Sequence, residues 1–251
     1  MAILTLKHVT KSFNKQTKVL KDINLEVEKG EYVAIMGESG AGKSTLLNII
    51  ATLDKATSGE VSLTGFDLNK LKESEAAKFR RQHLGFVFQH FNLLDTLSNR
   101  DNIYLPMVLN KEKHQEMAQR LEPLASQLEI DTLLDRYPYE ISGGQAQRIA
   151  VARALITKPE LLLADEPTGA LDSQNTKRLL DLFTKVNQAG QTILMVTHSA
   201  LAASYSKRTL FIKDGLIYHE LYRGDSSQQE YLQKISAGLT ALTSEGGLNW
   251  C

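Results

Sequence analysis

The apolar run Tyr32-Val33-Ala34-Ile35-Met36 leads straight into a loop with glycines at Gly37, Gly40 and Gly42 and then Lys43-Ser44. A nearly continuous apolar strand of this kind is buried on both faces of a parallel sheet. Ser44 to Leu53 then read as a helix, so strand, glycine loop and helix follow one another as a phosphate-binding loop requires. Glycines let successive N–H groups turn inward toward phosphate oxygens, and the helix start adds its positive dipole end. Candidate phosphate ligands are Gly37, Ser39, Gly40, Ala41, Gly42, Lys43, Ser44 and Thr45. In such a loop Lys43 reaches the β- and γ-phosphates, and the Ser44 hydroxyl ligates Mg²⁺.

Short strands in period two come first, Ile3–Leu6 and Ile23–Val27, with a turn at Lys29-Gly30. Further strands are expected at Leu161–Ala164, Thr192–Val196 and Thr209–Ile212, with an amphipathic helix through Leu179, Phe183 and Val186 that Gly190 ends. Alternating strands and helices predict a mainly parallel α/β core. Residues from about Glu73 to Arg136 carry helical patterns broken at Pro106 and Pro123, with a short strand at Gly85–Phe88. Asp225 to Cys251 reads as one helix and a polar, glycine-containing end.

With 251 residues, 42% hydrophobic and 23% charged, the chain can bury a sizeable core as one domain or two joined lobes. The formal net charge is zero, which argues against nucleic acid as a partner. Cys251 is the only cysteine, so an internal disulfide framework and a Cys-rich zinc site are excluded, in keeping with a reducing compartment. The six histidines show no paired ligand spacing. The start, Met1 to His8, lacks the apolar stretch of a signal peptide, and no run approaches the roughly 20 apolar residues of a membrane span.

The strand at Leu161 ends in Asp165-Glu166, which brings two carboxylates to the C-terminal edge of the sheet, where ligands collect. Asp165 is suited to the Mg²⁺ shell, and Glu166 to orienting and deprotonating an attacking water. Upstream, Ile141 precedes Ser142-Gly143-Gly144-Gln145, with Ser142 a helix N-cap.

This last element resembles the signature of ATP-binding-cassette (ABC) ATPases, and the resemblance covers approximately Ile3 to Glu220. It implies the P-loop NTPase ABC ATPase fold: a RecA-like core sheet, an N-terminal antiparallel β-subdomain and a helical signature lobe. The ATPase domain is then expected over 1–224, with the core at about 1–89 and 158–224 and the lobe at about 90–157. A C-terminal helix and tail follow at 225–251. By the same resemblance Gln89 senses Mg²⁺ and the γ-phosphate, Asp172 lies in the loop that crosses a dimer interface, and His198 contacts the γ-phosphate. Phe13 resembles the aromatic that stacks on adenine, and stacking alone predicts weak discrimination of ATP from GTP. Ile141 in place of leucine and Ala146 in place of a polar residue are mild departures.

Phe91 to Leu97, Asn102 to Pro106, Tyr137 to Glu140 and Ile217 to Glu220 are similar to the macrolide-exporter and lipoprotein-release branch. Within it, Asn92 to Leu97 is most like the bacitracin-type, antimicrobial-peptide-resistance members. The implied machine is a homodimer with ATP and Mg²⁺, at the cytoplasmic face of a bacterial membrane. Its membrane association runs only through a separate permease docked near Gln89–Leu105. In this arrangement Ser142 to Gln145 of one chain face the nucleotide held by Lys43 of the other. Lipoprotein release, macrolide efflux, a non-transporting signalling or cell-wall-regulating role, and a switch without turnover are the competing expectations.

Overall fold

The computed structural model describes residues 2–13 and 18–243; the expected polar end at 244–251, with Cys251, lies outside them. The first elements are β1 (Ala2–Ser12), β2 (Lys18–Glu28), β3 (Tyr32–Gly37), α1 (Lys43–Ile50), β4 (Ser58–Leu63) and β5 (Phe66–Asp67). Next come α2 (Glu73–His83), β6 (Leu84–Phe88), α3 (Asn99–Leu109), α4 (His114–Leu128), α5 (Gly143–Leu155), β7 (Leu161–Asp165) and α6 (Ser173–Gln188). The remainder is β8 (Thr192–Val196), α7 (Ala200–Ala203), β9 (Arg208–Lys213), β10 (Leu216–Tyr222) and α8 (Gln228–Thr243). These form two compact units, Met1–Asn69 with Leu194–Cys251, and Lys70–Ile193.

The first unit holds an antiparallel sheet in the order β2-β1-β4-β5. Strict alternation along β1 would turn Val9 and Lys11 away from Leu4 and Leu6, yet all four are buried. A register shift between Leu6 and Val9, with His8 at φ 51°, inserts the extra residue that brings them to one face. Lys11 is buried as a consequence, and its ammonium is paired with Asp54 at 2.5 Å and with Lys55 O at 2.8 Å. In the same unit β3 lies between β8 and β9, pairing in parallel with β9, which pairs antiparallel with β10. Tyr32 to Met36 are all buried, as their unbroken apolar sequence predicts. Helix α8 is anchored by buried Tyr231 and Ile235, and the Tyr231 hydroxyl bonds Thr209 Oγ1 at 2.8 Å and Leu221 O at 2.9 Å.

In the second unit β6 and β7 pair in parallel, and Leu161 to Ala164 are fully buried. Pro106 and Pro123 lie inside α3 and α4 and do not break them, contrary to the sequence expectation. Pro123 frees the carbonyl of exposed Gln119, which water can reach, whereas Pro106 frees that of buried Asn102. Strands β4 and β10 were not expected from the sequence; their pairing with β1 and β9 makes them strands.

Candidate active site

In the first unit, Gly37 closes β3 and the loop turns into α1 at Gly42, whose φ of 103° is left-handed and whose missing side chain leaves Leu20 room. With glycine as N-cap, no side chain caps α1 and no acidic residue lies in its first turn. Its N-terminal N–H groups and dipole therefore face the loop without a competing anion from the helix itself. Lys43 curls back over the loop, its Nζ donating to Gly37 O and Glu38 O, both at 2.8 Å. Beside the loop a cavity of about 310 Å³ is bordered by Ser39, Gly40 and Ala41, by Lys18, Lys21 and Lys213, and by the carboxylates Glu38 and Asp214. Lysines beside uncapped N–H donors suit an anion such as a polyphosphate.

Phe13 is 63% exposed, and Lys11 Nζ lies 5.0 Å from its ring centroid. A ring held by a buried cation and left open to solvent suits stacking on a base. On the other side of β3, Thr197 N donates to Ile35 O at 3.0 Å just past the end of β8. Thr197 Oγ1 then accepts from Ser199 N, and Ser199 caps α7, so exposed His198 rides on a turn braced at both ends.

In the second unit, β7 delivers Asp165 and Glu166. Glu166 has φ 46°, a left-handed conformation that a non-glycine residue keeps only when its surroundings impose it. Gln89, just after β6, lies so close to Gly169 that a Cβ there would come within 2.7 Å of its Nε2. Ser142 caps α5 in a reciprocal capping box: its Oγ accepts from Gln145 N at 3.3 Å, and Gln145 Oε1 accepts from Ser142 N at 2.8 Å. Gln145 is thus engaged in holding the signature turn. Gly143 and Gly144 follow at the exposed end of α5, and a Cβ on Gly144 would fall 2.3 Å from Asn175 Oδ1. Asn175 is itself held by Asp172, whose carboxylate N-caps α6 by accepting from Asn175 N at 2.8 Å and Nδ2 at 2.6 Å. Those bonds, the backbone one first, hold the Asp172 pKa below the usual carboxylate value.

Phe13, Gly37 to Thr45 and His198 thus belong to one unit, and Gln89, Ser142 to Gln145, Asp165, Glu166 and Asp172 to the other. Three residues escaped sequence reasoning. Gln147 is fully buried, and its Nε2 donates to Phe88 O and Pro167 O. Arg153 donates to Phe91 O and Asn92 O, and burial pulls its pKa down. Asn175 joins Asp172 to the signature glycines. The available signal was a polar residue within an apolar helical stripe, as Gln147 is between Ala146 and Ile149.

Among the described residues no helix is long and apolar enough to cross a membrane. A family model described as ABC transporter matches residues 20–169. The bacitracin export ATP-binding protein BceA of Halalkalibacterium halodurans is 48% identical over 240 residues, covering 94% of each chain. The lipoprotein-releasing system ATP-binding protein LolD of Aquifex aeolicus is 47% identical over 206 residues, 82% of this chain and 92% of that one. Among solved structures, the dimeric bacterial ABC transporter cassette MJ0796 superposes with a TM-score of 0.79 at 40% identity, over 87% of this chain and 98% of that one. The same cassette in a post-hydrolysis state bound to ADP and Pi gives a TM-score of 0.78 at 39% identity, over the same shares of the two chains. The chain belongs to the ABC transporter family and is an ABC ATPase, the ATP-binding subunit of such a transporter, in the branch that includes these bacitracin-export and lipoprotein-release relatives.

Proposed function

We propose that this ATPase works as a homodimer on the cytoplasmic face of a membrane and drives a separate permease that handles an antimicrobial peptide of the bacitracin class. The observation that carries the peptide reading is the identity to the bacitracin export protein, which runs almost end to end in both chains. The dimer reading is supported by the likeness to a dimeric cassette. Exposed Leu94, with half-buried Phe91 and Leu93, supports permease docking near Gln89–Leu105.

In this reading the Gly37–Thr45 loop and Lys43 hold the triphosphate and Phe13 stacks on the base. Ser142, Gly143 and Gly144 reach the γ-phosphate bound by the partner, and Asp172 approaches the partner's loop. Glu166 orients the attacking water and takes its proton, while Gln89 and His198 hold the water and the γ-phosphate oxygens in line. Catalysis is then positioning and charge neutralisation. Magnesium fits the donor set: a hydroxyl, an amide oxygen and a carboxylate from Ser44, Gln89 and Asp165 are hard oxygen ligands. When bound, the ion would neutralise charge on the β- and γ-phosphates.

The experiment is ATPase activity of the chain purified with the permease encoded beside it, in lipid, with and without bacitracin. Stimulation by bacitracin, abolished by Lys43→Ala, is expected. Stimulation by a lipoprotein substrate or a macrolide instead of bacitracin would move the assignment to the neighbouring branch.

A further inference from the structure

Gln147 sits just past the first turn of α5, fully buried among the apolar residues Ala146, Ile149 and Ala150. A glutamine amide in such a place is costly unless its hydrogen bonds are used. Its Nε2 donates to Phe88 O at 3.2 Å and to Pro167 O at 2.5 Å. Phe88 immediately precedes Gln89, and Pro167 immediately follows Glu166. One side chain therefore holds the backbone beside two of the residues assigned to the attacking water, Gln89 and Glu166. Its Oε1 is buried with no hydrogen-bond donor among the described residues, so only the donor half of the amide is satisfied.

The same helix grips these segments elsewhere. Arg153 donates to the carbonyls of Phe91 and Asn92, which are both left-handed at φ 62° and 52°. The Phe91 ring rests at the helix start, 3.5 Å from where a Gly143 Cβ would lie. The Gln89 loop is thus pinned to α5 at both ends. Glu166, in its imposed left-handed conformation, has its neighbouring carbonyl pinned to α5 as well.

We propose that Gln147 is a positioning residue that couples the two ATP sites. It ties the helix whose N-cap, Ser142, serves the partner's nucleotide to the backbone that carries Glu166 of its own chain. A rigid helix moves as one body, so a shift of its N-terminus on engaging the partner's nucleotide also moves the carbonyl of Pro167. Glu166 is then in line only when the signature on its own chain is engaged. This inference rests on the dimeric reading above.

The test uses Gln147→Met, which keeps shape and removes the donor, in the full chain. The expected result is a kcat lowered about tenfold with ATP affinity unchanged and the Hill coefficient falling toward one. A kcat and Hill coefficient equal to wild type overturn the proposal. Gln147→Lys restores a donor of similar reach and is expected to recover most of the kcat. A mixed dimer of wild-type and Ser142→Arg chains tests the coupling itself, and decides it if Gln147→Met does not fold. Its one site with an intact signature uses the Glu166 of the Ser142→Arg chain, whose own signature is disabled. Activity no higher than that of the Ser142→Arg homodimer supports the coupling, and about half of the wild-type rate overturns it.

Discussion

At the scale of single residues, the tightest constraint on the signature is steric. A Cβ at Gly144 would fall on the Asn175 side chain, which cannot swing aside without giving up its Nδ2 bond to Asp172 Oδ2. We expect Gly144→Ala to cost about 1–3 kcal/mol of stability and to lower ATPase activity. Thermal denaturation and steady-state hydrolysis measure this; an unchanged melting temperature would show that Asn175 gives way freely. The glycine itself is legible in the sequence, but the reason for it is not. Asn175 is remote along the chain, and its contact with Gly144 exists only once α5 and α6 are packed together.

At the scale of elements, α8 is held by a tyrosine whose hydroxyl reaches two acceptors beneath it. Tyr231→Phe should cost about 1 kcal/mol, because Leu221 O loses its donor and the Thr209 hydroxyl loses a hydrogen-bond partner. Burial raises the pKa of Tyr231, and that of Tyr32, whose hydroxyl points at Met195 Sδ, rises for the same reason. A folded-state pKa above the unfolded value of 10.0 gives stability that is complete below pH 10 and lost as the pH rises further, because the unfolded chain ionises first. Denaturant midpoints at pH 9 and pH 11 should therefore fall more steeply for wild type than for Tyr231→Phe, and parallel slopes would refute the assignment. The existence of this helix was readable from its sequence. Its docking was not, since Tyr231 is an ordinary amphipathic position until Thr209 lies beneath it.

Likewise β3, β7 and β8 were readable as strands, because long apolar runs have few other fates in a protein of this size. Strand β1 was only half readable. Its bulge at His8 depends on the partner strands, where Gly59 approaches so closely that a Cβ would meet His8 O at 2.4 Å. That bulge is what buries Lys11 and sets its ammonium near Phe13.

At the scale of the whole molecule, the shared-site reading makes ATP the agent that joins two copies. Glu166→Gln should bind ATP without turnover and elute as a dimer in size-exclusion chromatography with ATP, and as a monomer without it. A monomer at saturating ATP would sink the dimeric mechanism.

The sequence by itself determined the family, through the phosphate loop, the strand-end carboxylate pair and the signature. Glycine spacing, a lysine and a strand-end carboxylate are local requirements, met by residues adjacent in the chain. Tertiary structure alone decided which of those residues are physically tied to one another. Gln147 reaches Phe88 and Pro167, Arg153 reaches Phe91, and Asn175 backs Gly144 through contacts between segments far apart in sequence. Such contacts leave no periodicity or spacing to read, because burial and hydrogen-bond partners do not exist until the chain has folded.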